Sequence, residues 1–109
     1  MRKCIAYIAG KMTGLPDKGW ATFTKAHNRL QQLGYVVLNP AVLPEGMPGN
    51  RYMPICLAMI SQADMLVLLD GWEDSPGANV EKAYAEYQKI PVYNMSSIWR
   101  EGHEHPGNG

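Results

Sequence analysis

Glu81 stands six residues after Ser75, and the residues between them, Pro76-Gly77-Ala78-Asn79-Val80, read as the opening of a helix. Ser is a favoured N-cap and Pro a favoured first helical residue. Two uses of that opening stand side by side: Ser75 only caps the helix, or its hydroxyl and the free backbone N–H groups also receive an anion such as a phosphate. Glu81 follows Gly77 by four residues, which is about 6 Å along a helix axis. A phosphate at the helix start and a carboxylate one turn later suit a nucleotide, with the 5′-phosphate at the cap and the anomeric carbon near Glu81. The helix dipole is expected to favour the ionised carboxylate. The plainer reading is an exposed first-turn Glu that the same dipole stabilises.

Asp70, Glu73 and Asp74 crowd the preceding loop. Clustered carboxylates raise one another's pKa, so Asp70 or Asp74 is a candidate proton donor. Trp72, in the same loop, either stacks on a base or plugs the edge of the core. Gly10-Lys11-Met12-Thr13-Gly14 is flexible and carries one cation, which makes Gly10 and Lys11 candidates for contact with an anionic substrate. It matches neither the phosphate-binding P-loop nor the dinucleotide fingerprint. Asn39 and Asn79 are candidate sugar contacts, with turn and helix-surface roles as the plainer reading. Cys4 and Cys56 sit among apolar residues and read as two buried thiols. No Cys–His spacing forms a metal site, and His103 and His105 lie in a Gly/Pro-containing tail. No metal or cofactor is expected.

The elements that must position these residues alternate. Cys4 to Ala9 is apolar without alternation, as in a strand buried on both faces of a parallel sheet. Trp20, Phe23, Ala26, Leu30 and Leu33 mark one face of a helix, and Gly34 ends it. Tyr35 to Leu38 reads as a second buried strand, followed by a Pro/Gly loop from Asn39 to Asn50. A helix over about Arg51 to Ala63 presents Met53, Cys56, Leu57, Ile60 and Ala63, with Pro54 tolerable only in its first turn. Met65 to Leu69 is the third strand. The helix from about Gly77 to Lys89 has Val80, Ala83, Tyr84 and Tyr87 as its apolar face. Ile90 to Tyr93 is the fourth strand, and Ser96 to Glu101 a short helix.

This order predicts an α/β fold: a three-layer flavodoxin-like or Rossmann-like sandwich around a parallel sheet of four to five strands. Residues 1–94 form the domain and 95–109 a tail, a short helix and then disorder. Ligands of such sheets sit beyond the carboxyl ends of the strands, where the loops Gly10–Gly19, Asn39–Asn50 and Gly71–Pro76 lie.

The 109 residues carry no net charge, but residues 1–60 hold seven bases against two acids and residues 61–109 three bases against eight acids. No basic stripe with interleaved aromatics appears, and four acids fall between Asp70 and Glu81. Duplex nucleic acid is not an expected partner. The longest apolar runs, Cys4 to Ala9 and Ile55 to Ile60, are far short of the roughly 20 residues that span a bilayer, and the N-terminus lacks the parts of a signal peptide. A cytoplasmic protein with no membrane partner is expected.

Tyr7-Ile8-Ala9-Gly10, Gly34-Tyr35 through Asn39-Pro40, the strand beginning at Asp64, and Ser75-x-Gly77-x-x-x-Glu81 together resemble the nucleoside 2-deoxyribosyltransferases and their relatives. Gly71 to Glu81 is most similar to a small deoxyribosyltransferase-like group frequent in phages and prophages, which would place the protein in a bacterial host's cytoplasm. The resemblance covers about residues 4–93. It implies attack on an N-glycosidic bond, with Glu81 as nucleophile, Tyr7 orienting it, and hydrolysis or transfer to another base as the outcome. Ser75 resembles the branch that hydrolyses deoxynucleoside 5′-monophosphates, where the serine contacts phosphate; Gly77 and Gly10 would hold phosphate and ribose. The resemblance implies a homo-oligomer, dimer or larger, and a C-terminal segment from Asn94 that completes a neighbour's site.

One position departs from the pattern. Active relatives carry an aspartate about eight residues before the third strand, and counting back from Asp64 gives Cys56. The expected function is cleavage of the N-glycosidic bond of a nucleoside or deoxynucleoside 5′-monophosphate by an N-hydrolase or deoxyribosyltransferase. The alternative is a protein that binds a nucleotide or nucleotide-like signal without turning it over.

Overall fold

The structure, a computed structural model, describes residues 3–101. Four short apolar segments form the strands β1 (Ile5–Ala9), β2 (Val36–Leu38), β3 (Met65–Leu68) and β4 (Val92–Asn94). They make one sheet in the order β2-β1-β3-β4, and every neighbouring pair is parallel. Tyr7, in the middle of β1, is in register with Leu38 on one side and Leu66 on the other. The crossovers are the helices α1 (Trp20–Gln32), α2 (Gly49–Ser61) and α3 (Pro76–Tyr87), and α4 (Met95–Glu101) follows β4. This is the three-layer α/β sandwich the sequence predicts, with four strands among the described residues.

The period of two along β1 and β3 divides the interior into two cores. Ala6, Ile8, Met65 and Val67 pack with Phe23, Ala26 and Leu30 of α1 and with Met95 and Ile98. Tyr7, Ala9, Leu66 and Leu68 pack with Cys56 and Ile60 of α2 and with Ala85 of α3. Strand order reverses at the β1–β3 pair, so the carboxyl ends of these two strands flank the crevice where such sheets bind ligands. No helix among the described residues is long and apolar enough to cross a membrane.

Several local expectations are corrected. Tyr35–Leu38 does not give a strand buried on both faces: β2 is an edge strand, and Val36 is exposed because nothing pairs beyond it. Trp20 is half exposed at the very start of α1, before the helix settles on the sheet. A short 3₁₀ turn, Pro40–Val42, interrupts the Asn39–Asn50 loop. α2 begins two residues earlier than expected, at Gly49, which puts Pro54 in its second turn. Proline has no N–H to give to the carbonyl four residues back. Here that carbonyl belongs to Asn50, and both residues are exposed, so water can take the bond.

The largest correction concerns α3. Its inward face is Ala78, Glu81 and Ala85, with Tyr84 half-buried, while Val80, Ala83 and Tyr87 point to solvent. A reading by hydrophobicity alone turned the helix the wrong way, because the residue at the centre of its buried face is a carboxylate. α4 also belongs to the packed fold: Met95 and Ile98 lie in the α1 core, past the boundary drawn at residue 94. The expected disorder of the tail, and His103 and His105, lie outside the described residues.

Candidate active site

The site is built around the turn from β3 into α3. Gly71, at φ +89°, reverses the chain, a backbone conformation that costs glycine little. Trp72–Asp74 form one 3₁₀ turn, and Ser75 caps α3, its Oγ accepting from the Ala78 N–H at 3.1 Å. Asn79 ties the loop to the helix: its Nδ2 donates to the carbonyls of Ser75 at 2.8 Å and Glu73 at 3.2 Å. These bonds fix the loop on the first turn of α3, so the position of Glu81 one turn further in is fixed relative to the loop.

Glu81 is 7% exposed. Tyr7, fully buried, donates its hydroxyl to Glu81 Oε2 at 2.9 Å. The Cys56 thiol, reaching in from α2, packs in the same core as Tyr7 and bears on both groups. Burial pushes the Glu81 carboxyl up to about 7, although the bonds from Tyr7 and Cys56 pull the other way. Burial, followed by the neighbouring Glu81 charge, holds the Tyr7 phenol far above its ordinary range, so it stays a proton donor. Burial also pushes the Cys56 thiol up; the Tyr7 bond opposes this and the Glu81 charge adds to it. The helix dipole is expected to help keep Glu81 ionised, and burial acts against that ionisation. Glu81 is not an exposed first-turn residue. A carboxylate poised near neutrality and held by a neutral phenol keeps its basicity, as a nucleophile or general base requires.

The other candidates take distinct places. Gly10 ends β1 against β3, where an added Cβ would stand 3.0 Å from Leu69 Cβ and Cδ1. Lys11 follows it, half-buried, at the same sheet edge. Gly77 lies beneath Met53 of α2, whose Cε is 3.6 Å from where a Cβ would be. Trp72 packs against the α2–α3 core with Lys82 Nζ 5.6 Å from its ring centre. Asn39 is buried, its Oδ1 accepting from the Ala41 N–H at 2.9 Å and its Nδ2 lying 3.1 Å from His27 Nδ1. Both ends of its amide are thus engaged within the protein.

Asp70, Glu73 and Asp74 are exposed. Asp70 borders a cleft with Lys25, Ser96 and Trp99 on the α1–α4 side of the sheet, the opposite face from Glu81. The side chains that bear on Glu81 are Tyr7 and Cys56, and no second carboxylate is among them. Neither Asp70 nor Asp74 is among the groups that shift the Glu81 carboxyl. Among the described residues no three His, Cys, Asp or Glu side chains are grouped to hold a metal ion.

Residues 4–94 match the family model described as a domain of unknown function, DUF4406. The chain belongs to the DUF4406 family. The DUF4406 fold is also similar to a solved 2-deoxyribosyltransferase from Bacillus psychrosaccharolyticus, with a TM-score of 0.65 and 23% identity over 83% of this chain and 70% of that one. The comparison with curated proteins gave no match.

Sequence reasoning marked Cys56 as the residue standing where active relatives carry an aspartate, and in this DUF4406 chain it lies with Tyr7 beside Glu81. The signal was present: Cys56 shares the inward face of α2 with Ile60. Met53, which covers Gly77, was read only as part of an apolar stripe.

Proposed function

We propose that this protein cleaves the N-glycosidic bond of a nucleoside or deoxynucleoside 5′-monophosphate, with Glu81 as the nucleophile. The observation that carries this reading is the buried hydrogen bond from Tyr7 to Glu81 Oε2, 2.9 Å long, just inside the capped start of α3. A carboxylate oxygen of Glu81 attacks the anomeric carbon, the C1′–N bond breaks, and its electron pair leaves with the base, which takes up a proton from solvent. Water, or a second base, then attacks C1′ and frees Glu81. The start of α3 receives the 5′-phosphate through the Ser75 hydroxyl and the Gly77 N–H, where the helix dipole favours an anion. Gly10 and Lys11 border the sugar and phosphate across the crevice, and Trp72 flanks the base. Likeness to a 2-deoxyribosyltransferase fold supports the reading at the level of the scaffold.

The test is release of free base, followed by chromatography, from nucleoside and deoxynucleoside 5′-monophosphates. Release by the wild-type protein and its loss in Glu81→Ala is the expected result. Binding of a nucleotide without release by either protein favours the second reading, a non-catalytic nucleotide-binding protein. That reading draws on the lack of a second carboxylate beside Glu81 among the described residues.

A further inference from the structure

N-glycosidic cleavage asks two things of a site: a group that attacks or stabilises the anomeric carbon, and a proton for the departing nitrogen. Two separate carboxyl groups do this in most glycoside-cleaving sites. Around Glu81 the first is present and, among the described residues, the second does not bear on it. Tyr7, from β1, and Cys56, from α2, are the side chains that act on it. Asp70 borders the cleft beside α1 and α4, and Glu73 and Asp74 are exposed on the loop that Asn79 ties down. Glu81 cannot be both nucleophile and acid in one step. Tyr7 already gives its proton to Glu81, and a phenol of ordinary pKa near ~10 or a thiol near ~8.5 is a weak acid beside a carboxylic acid near ~4. Burial weakens both further as acids.

A neutral purine or pyrimidine that leaves without a proton leaves as an anion. A base whose glycosidic nitrogen belongs to a cationic ring does not. Glu81 forms the C1′–O bond with its own electron pair, the C1′–N bond breaks, and the released pair neutralises the positive ring. The base departs neutral and no acid is needed. Water then attacks C1′, the ester pair returns to Glu81, and one water proton passes to solvent. We infer that the trio of Glu81, Tyr7 and Cys56 selects nucleotides whose leaving base is a cationic ring, such as a pyridinium or an N7-alkylated purinium. The inference rests on Glu81 as nucleophile and adds the class of substrate. The neutral Tyr7 and Cys56 around Glu81 also fit it, because neither repels a cationic ring.

The experiment compares matched pairs: 7-methylguanosine 5′-monophosphate against GMP, and nicotinamide mononucleotide against AMP, in ribo and 2′-deoxyribo forms. Each rate is divided by the uncatalysed rate of the same compound. A missing general acid typically costs about 10²–10⁴ in rate. The cationic member of each pair is therefore expected to be accelerated at least ~10²-fold more than its neutral partner. Cys56→Asp, which supplies the acid, is expected to raise the ratio of GMP to 7-methylguanosine monophosphate cleavage by about the same factor. Cys56→Asn, similar in shape and without an acid, is expected to leave that ratio where it was. Equal acceleration of both members by the wild-type protein overturns the inference and leaves the nucleophile reading standing. An unchanged ratio in a folded Cys56→Asp protein does the same. If no compound of either class is cleaved, the nucleophile reading falls and the inference with it.

Discussion

Tyr7 and Glu81, 74 residues apart in sequence, are joined by one buried hydrogen bond of 2.9 Å. It links the middle of β1 to the inward face of α3, so the central strand and the buried carboxylate are positioned as one unit. Because the sheet fixes Tyr7 between Leu38 and Leu66, the orientation of Glu81 is inherited from strand pairing. A loop residue in the place of Tyr7 would leave that orientation to a more mobile segment.

Removing the hydroxyl should expose this dependence. Tyr7→Phe takes away a donor that lowers the Glu81 pKa, and the carboxyl then rises above its value of about 7. A hydrogen bond to a charged group is worth about 1.5–3 kcal/mol, or about 1–2 pKa units. Base release requires ionised Glu81, so in the wild type it increases with pH through about 7. In Tyr7→Phe the rising limb is expected about 1–2 units higher. A pH–rate profile of the two proteins checks this, and coincident limbs would show that the hydroxyl does not act on Glu81.

Burial of Glu81 also has a cost in stability, with a definite sign. The folded pKa of about 7 lies above the ordinary value of 4.5, so the native state binds the extra proton between them. The contribution of Glu81 to stability is therefore highest below about 4.5, falls as pH rises to about 7, and levels off above it. At one pKa unit per 1.36 kcal/mol the loss is about 3 kcal/mol. Glu81→Gln keeps the shape and removes the charge. It is expected to raise Tm by on the order of 10 °C at pH 8.5 and by little at pH 5, while abolishing base release. Thermal melts at both pH values decide it: equal gains at both would assign the effect to packing.

Ser75 separates into its two uses by substitution. Its cap bond to the Ala78 N–H is in place without any ligand. Ser75→Ala is expected to cost about 1 kcal/mol of stability as a lost N-cap. If the hydroxyl also meets the phosphate, KM for a 5′-monophosphate should rise about tenfold more than KM for the matching nucleoside, on the scale of one hydrogen bond to a charged group. Equal changes for the two substrates would leave Ser75 as a cap alone.

The order of the elements was legible because β1 and β3 are unbroken apolar runs between helical periodicities. The cap was legible because Ser, Pro and Gly each favour that position for a separate physical reason. The facing of α3 was not. Val80, Ala83 and Tyr87 satisfy an apolar stripe, and the buried hydrogen bond of Glu81 to Tyr7 of β1, with the packing of Ala85 and Tyr84, explains why the other side turns inward. The same holds for Asp70, which follows β3 by two residues yet lies on the α1–α4 side of the sheet. A strand of period two sends neighbouring side chains to opposite faces, and one residue at its end decides which core a carboxylate meets.

Within the described residues, the C-terminal segment acts through the core. Met95 and Ile98 of α4 are buried with Phe23, Ala26 and Leu30. Ile98→Ala is expected to destabilise the protein by about 2–4 kcal/mol, the range for a buried large-to-small change. Truncation after Tyr93 removes both residues and the last pairing of β4, Leu68 with Asn94, and should be at least as severe. Any weakening of nucleotide binding in the truncated protein would thus follow from lost folding, and it would not by itself report on a neighbour's site. Urea denaturation of both variants beside the wild type tests this. A truncated protein as stable as the full chain would mean that α4 contributes no packing energy, and its effect on binding could then be read directly.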